Sequence, residues 1–325
     1  MKIVFLGATK FSEEMLKHLL GNGFDVSAVF MIPQSFDLKK KGEEAASSYK
    51  NSNFADLERL AASCRIPCYP VDSKEGRKLD SYRETIRAIE PDIILVLGWY
   101  YMVPRSIREL ARLGAYGIHA SLLPRYAGGS PLVWALINGE ETTGITMFKF
   151  EGGVDDGDIL AQAKIPVAID DTIGSLYGKV TEASKAMLAE QLVLMREERH
   201  TLTPQDASKI VPLPIRTPDD GIIDWDAGAM KLYNFVRAQT KPYPCAFSYL
   251  GERRVKIVSL QLPEPGSLPG AGGSNGEIVR HGSRCKVRTS DALVTPLIVE
   301  ADGREADFQD FCNENNLCGS IFHNG

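Results

Sequence analysis

The chain contains no run of 18 apolar residues, the length that a membrane-spanning helix needs. The apolar stretch after Met1 is only about five residues long, too short for the core of an export signal, so a cytoplasmic protein without a membrane partner is expected. Neither sign of charge prevails. A net charge of −5 over 325 residues gives no electrostatic reason to expect nucleic acid across the whole surface. Cysteine is sparse: Cys64, Cys68, Cys245, Cys285, Cys312 and Cys318 are scattered, and the two close pairs lack His or Cys partners at zinc-ligand spacing. Free thiols of a reducing compartment and no metal are the expectation. The first strand–helix turn, Gly7-Ala8-Thr9-Lys10-Phe11, lacks the second and third glycines of the dinucleotide fingerprint, which argues against a nicotinamide cofactor.

With 44% hydrophobic residues, the chain is long enough for two cores. Short apolar runs at 2–7, 25–31, 66–71, 92–98, 117–119 and 145–150 alternate with helical spacing at 13–20, 54–63, 105–112 and 132–137. This alternation predicts a Rossmann-like α/β fold, a doubly wound and mostly parallel sheet. A long helix is expected over 172–198, capped by Asp170 or Asp171. Pro204, Pro212, Pro214 and Pro218 then interrupt the helical pattern and place a boundary near 205, giving domains 1–205 and 206–325. Beyond it, one helix near 230–238 precedes strand-like runs at 247–250, 255–262, 277–279, 285–289 and 293–299. Between these lie Gly- and Pro-rich turns, including 263–276, which suits a small OB-like β-barrel.

Ligands of doubly wound sheets bind at the carboxyl ends of strands. Two loops so placed carry reactive side chains: Gly117-Ile118-His119-Ala120-Ser121-Leu122-Leu123-Pro124-Arg125-Tyr126 and Gly152-Gly153-Val154-Asp155-Asp156-Gly157-Asp158. A histidine at a strand end can exchange protons near neutral pH, and a carboxylate from a neighbouring loop can orient it. Each piece alone has a plainer explanation, a core histidine or a solvated acidic turn.

Taken together, 119–126, 139–146 (Gly-Glu-Glu-Thr-Thr-Gly-Ile-Thr) and 154–160 resemble the folate-dependent formyltransferase family in order and spacing, with 36 positions between His119 and Asp155. The resemblance implies 10-formyltetrahydrofolate as formyl donor, released as tetrahydrofolate, and His119 and Asp155 as the catalytic pair. It also implies a folate site walled by Ser121, Leu122, Leu123 and Pro124. Tyr101, Met102 and Val103 would contact the pterin, and Gly129, Glu151, Gly152, Gly153, Val154 and Asp155 would complete the pocket. Two positions depart from the pattern. Gly117 stands where transferases of this family carry an Asn that serves the oxyanion, which leaves formyl hydrolysis or folate binding without turnover as alternatives to transfer. Ala127 stands where relatives often have Arg.

The C-terminal segments Pro214–Trp225, Val236-Arg237-Ala238 and Pro242–Tyr249 resemble the family's second domain and lean toward its sugar-amine members. Residues 206–325 hold 13 Lys and Arg against 15 Asp and Glu, a net of −2, which is not a footprint for tRNA. The basic run Lys39-Lys40-Lys41 with Lys50 is diluted by Glu43 and Glu44 and reads as a solvated loop. A nucleotide-linked amino-sugar is therefore the expected amine acceptor, with methionyl-tRNA as the alternative.

Overall fold

The computed structural model describes residues 1–38, 47–51, 53–72, 78–263 and 272–324. The run Lys39-Lys40-Lys41 and residues 264–271 of the glycine-rich stretch lie outside them. In chain order the first strands are β1 (Lys2–Gly7), β2 (Asp25–Met31), β3 (Ser35–Leu38), β4 (Ser47–Lys50), β5 (Cys68–Pro70), β6 (Ile93–Val96), β7 (Ala115–His119), β8 (Thr142–Lys149) and β9 (Ile159–Pro166). The helices among and after them are α1 (Lys10–Gly21), α2 (Leu57–Ser63), α3 (Arg83–Ile89), α4 (Arg105–Arg108), α5 (Pro131–Ile137) and α6 (Ile173–Arg196).

One seven-stranded sheet runs β5-β2-β1-β6-β7-β8-β9. The pairs from β5 through β7 are parallel, and β8 joins β7 antiparallel. The chain grows outward from β1 through β2 to β5 and then returns to β6 on the other side of β1, so strand order reverses between β1 and β6. That reversal opens a crevice at their carboxyl ends. Its walls are fixed by sequence: Thr9 and Ser12 form a capping box at the start of α1, and the Ser12 hydroxyl also donates to the Leu97 carbonyl at the end of β6, 2.5 Å away. Beneath lie Val4, Leu6, Phe30, Ile94 and Ile107, each fully buried and each contributing about 1.5–3 kcal/mol.

The chain divides into two compact units. The first comprises Met1–Ala127, Gly144–Ile165 and Val180–Val211; the second comprises Gly128–Thr143, Pro166–Lys179 and Pro212–Gly325. Within the second unit, α7 (Ala229–Gln239) precedes β10 (Ala246–Leu250), β11 (Arg253–Leu260), β12 (Ile278–His281), β13 (Arg284–Arg288), β14 (Leu293–Val294), β15 (Pro296–Ala301), β16 (Arg304–Asp307) and α8 (Phe308–Asn315). These strands form antiparallel sheets of order β10-β11-β15-β16 and β12-β13-β14 around a core that includes Trp225, Leu232, Val236, Ile257 and Phe308.

Local chemistry explains where elements differ from the sequence pattern. Helix α4 stops at Arg108 instead of reaching 112, because the amides of Arg112 and Leu113 donate to the carbonyls of Pro91 and Asp92 and lead the chain into β7. The start of α6 is capped by Thr172, not by Asp170 or Asp171: Thr172 and Ser175 exchange reciprocal side-chain to amide bonds. No helix among the described residues is long and apolar enough to cross a membrane.

Candidate active site

The register of β7 against β8 places His119 opposite Thr146, with the imidazole at the carboxyl end of its strand. Its Nε2 lies 2.7 Å from the carbonyl of Tyr126. A carbonyl only accepts, so Nε2 carries a proton and donates it there. Nδ1 faces Oδ2 of Asp155 at 3.4 Å, and the two side chains are 11% and 19% exposed. The structure therefore brings together the expected pair, mostly shielded from solvent, with the ring orientation set from both sides.

Asp155 owes its position to the loop after β8. The amide of Lys149 donates to the Asp158 carbonyl at 2.9 Å and closes the loop at its base. Gly157 is required there, since a Cβ would overlap the Lys149 carbonyl oxygen. Asp155 itself adopts φ +53°, a left-handed conformation that aspartate tolerates better than most residues. Two side chains hold the loop through its carbonyls: Arg108 donates to Glu151, and the Gln205 amide donates to both Asp155 and Gly157. Glu151, Gly152, Gly153 and Val154 are exposed along the loop.

The segment Ser121-Leu122-Leu123-Pro124 is organised by a buried threonine. Thr146 Oγ1 donates to the Ser121 carbonyl at 2.7 Å and accepts from the Leu123 amide at 3.0 Å and from Gln162 Nε2 at 2.9 Å. The Ser121 hydroxyl turns back to the Arg125 carbonyl, 2.7 Å away. The Leu123–Pro124 peptide is cis. Ala127 is fully buried in a cluster with Leu123 and Phe148, a setting for a methyl group where an arginine would have no room for its charge.

Gly117 is buried two residues before His119, and its missing side chain has a replacement. A Cβ there would lie 2.5 Å from Cε1 of Phe150 and 2.9 Å from the Val96 carbonyl. The Phe150 ring fills that volume and packs against Phe148 with ring centres 5.1 Å apart and planes tilted by 30°.

The aromatic loop after β6 is tied down rather than free. Tyr100 donates to Asn51, Asn51 donates to the Ala8 carbonyl, and Tyr101 donates to the Asp37 carbonyl at 3.3 Å. Val103 is buried, whereas Met102 is 67% exposed. A cavity of about 570 Å³ in the first unit is lined by Arg105, Arg108, Arg112, Lys149, Phe150 and Glu151, among others. Gly129 falls in the second unit, where its amide donates to the Leu213 carbonyl at 2.8 Å. Among the described residues no group of three or more His, Cys, Asp or Glu is placed to hold a metal ion.

Sequence reasoning missed Arg108, Phe150 and Gln205. The first and third act on backbone carbonyls, which leave no side-chain pattern to read. Phe150 was legible only as the complement of an absent side chain.

Residues 1–192 match the formyl transferase family, and residues 216–316 match the formyl transferase C-terminal domain. A methionyl-tRNA formyltransferase from Thermodesulfovibrio yellowstonii is 31% identical over 304 residues, 93% of this chain and 92% of that protein. An N-formyltransferase from Helicobacter canadensis, solved with folinic acid and dTDP-3-aminofucose, shares the fold at 17% identity with a TM-score of 0.62, covering 94% of this chain and 100% of that one. HypX from Aquifex aeolicus, solved with tetrahydrofolic acid, aligns at 18% identity with a TM-score of 0.63 over 97% of this chain and 47% of that one, so this chain spans about half of that protein's length. The chain belongs to the folate-dependent formyltransferase family and is a folate-dependent N-formyltransferase.

Proposed function

We propose that the acceptor is a small amine, a nucleotide-linked amino-sugar, and that His119 and Asp155 carry the transfer. The observation behind the acceptor is the state of the cations in the second unit. Arg253 pairs with Asp302 and Lys256 with Glu300. Arg237 donates to the carbonyls of Ala168 and Asp171, and Arg216 lies over the rings of Trp134 and Phe235. Arg254 lies 3.5 Å from the centre of the Phe247 ring. These five cations are engaged within their own unit, and residues 206–325 carry a net charge of −2, which does not favour a track for the phosphates of a tRNA. Methionyl-tRNA is the second reading, favoured by the relative that is 31% identical.

The residues fit a folate donor. The wall Ser121–Pro124 follows His119 directly and Glu151–Val154 precedes Asp155, so both donor-binding segments adjoin the reacting pair, whereas the 570 Å³ cavity, lined by residues between Arg105 and Ala115 and between Lys149 and Gly152, includes neither His119 nor Asp155. The bound donor supplies an activated formyl carbon. Asp155 holds Nδ1 and stabilises the positive charge that the imidazole gains on taking a proton. Nε2 donates to Tyr126 in this structure; when an incoming group displaces that carbonyl, the neutral ring takes the tautomer with its one proton on Nδ1, donated to Asp155, and Nε2 presents its lone pair. His119 then takes the proton of the attacking amine, which enters neutral, and returns it to the leaving nitrogen. Ser121–Pro124, Tyr101–Val103 and Glu151–Val154 bind and orient the donor.

The test is tetrahydrofolate release from 10-formyltetrahydrofolate with a panel of dTDP- and UDP-linked amino-sugars, with methionyl-tRNA, and with no acceptor. Faster release with a sugar than without one supports the proposal. Stimulation by methionyl-tRNA alone replaces it with the second reading. Release at one rate regardless of acceptor assigns formyl hydrolysis instead.

A further inference from the structure

We propose that Gln205 is the positioning residue that fixes the Asp155 peptide and, through it, the approach of the carboxylate to His119. This rests on the assignment of His119 and Asp155 as the reacting pair.

Gln205 lies beyond α6, in none of the segments that carry the family resemblance. An antiparallel bridge between Thr203 and Ile159, with an amide to carbonyl distance of 2.8 Å in each direction, holds this segment beside the start of β9. Two residues further on, the Gln205 side chain reaches back over the loop. Its amide nitrogen has two hydrogens, and two carbonyls receive them: Asp155 at 2.8 Å and Gly157 at 2.7 Å. The orientation of the amide is forced, because turning it over would set Oε1 against two carbonyl oxygens. Oε1 is buried and has no hydrogen-bond partner, so the amide leaves an acceptor unsatisfied while it makes both donor bonds.

Both bonds act on a strained link. Asp155 holds φ +53°, so its carbonyl points in a direction that an aspartate in an extended conformation would not give it. A donor fixed on that carbonyl favours the left-handed conformation over its alternatives. Arg108 at the Glu151 carbonyl and the Lys149 amide at the Asp158 carbonyl hold other parts of the loop. Loss of the Gln205 donors lets the Asp155 peptide relax and carries its carboxylate away from the 3.4 Å contact with Nδ1.

The experiment is ¹⁵N NMR of the full-length chain labelled at histidine, with His119→Asn to assign the ring signals. Gln205→Met keeps the length and removes both donors, and Gln205→Glu sets oxygens against both carbonyls. In each variant the His119 ring signals move, while those of His18, His200, His281 and His323 stay in place. With 10-formyltetrahydrofolate and dTDP-linked amino-sugars, kcat falls roughly 10- to 100-fold and KM for the donor changes less than about twofold. Unmoved His119 signals in a folded variant overturn the proposal, and so does an unchanged kcat beside moved signals. The spectra need no acceptor, so an inactive wild-type chain counts against the acceptor assignment and leaves the Gln205 proposal to the ring signals.

Discussion

Phe150 occupies the volume that any side chain at Gly117 would need, with its Cε1 2.5 Å from where a Cβ would stand. The pair is reciprocal: the glycine admits the ring, and the ring closes the space left by the glycine. Restoring an amide at this position by Gly117→Asn alone should overpack the strand, lower stability by about 1–3 kcal/mol and bring no gain in turnover. Combined with Phe150→Ala, the same substitution should be better tolerated than the two separate effects predict. A double-mutant cycle by chemical denaturation measures the coupling, and strict additivity would show that the two positions do not share one space.

His119 and Asp155 differ in what their loss removes. His119→Ala takes away the proton carrier and should lower kcat by about 100- to 10,000-fold in any assay that shows turnover. Asp155→Asn keeps the size of the side chain but removes its charge, so it should lower kcat with little effect on donor affinity. Steady-state kinetics with donor-binding titrations separate the two quantities, and near wild-type turnover in either variant removes that residue from the mechanism.

Thr146 holds the wall Ser121–Pro124 from below through the three bonds of its hydroxyl. Thr146→Val keeps the shape and deprives the Leu123 amide of its acceptor, at a cost of about 1–3 kcal/mol. If that wall binds the donor, KM for 10-formyltetrahydrofolate should rise by a larger factor than kcat falls. Thermal denaturation and initial-rate measurements together test this, and a drop in stability without any kinetic change would confine Thr146 to a structural role.

Much of this was legible in the chain. Strands β1 and β2 have the bounds read from sequence because Lys2–Gly7 and Asp25–Met31 are nearly continuous apolar runs buried on both faces. Strand β9 was hidden because only Leu160 and Ile165 are buried along Ile159–Pro166, the pattern of a sheet edge. Strand β16 was hidden for a stronger reason: Arg-Glu-Ala-Asp has no run of apolar residues at all, and its pairing with β15 alone makes it a strand. Helix α3 buries Ile86 alone and gives no apolar stripe. At the site, His119 and Asp155 stood out only through the family resemblance of the segments that carry them, whereas Gln205 was invisible because its partners are peptide carbonyls.

Asp171 makes part of the second unit sensitive to acid. Burial alone would raise its pKa, but hydrogen bonds from Lys179, Ser175 and the Ala168 amide outweigh burial and leave it below the ordinary aspartate value. A lowered folded pKa means that the stabilisation is complete above the unfolded value, near 3.9, and is lost as pH falls through the folded value. Asp171→Asn should therefore cost about 1.5–3 kcal/mol at neutral pH, and the gap from wild type should close below about pH 4. Denaturation curves across that range test the sign, and a gap that widened in acid would reverse it.

The loop that carries Asp155 behaves as a clasp, locked at its base and open at its tip. Between Lys149 and Asp158 the chain has one length that satisfies the closing bond, the contact of Gly157 with Lys149 and the reach of Gln205. A residue inserted or deleted between Gly157 and Asp158 would disturb these contacts together. Glu151 is held through its carbonyl by Arg108, and the exposed tip beyond it, Gly152 to Val154, lies outside these contacts. Descent with modification in this segment is thus channelled into exchanges of side chains at the tip, and divergence in what the loop meets can proceed while the reacting carboxylate stays where it is.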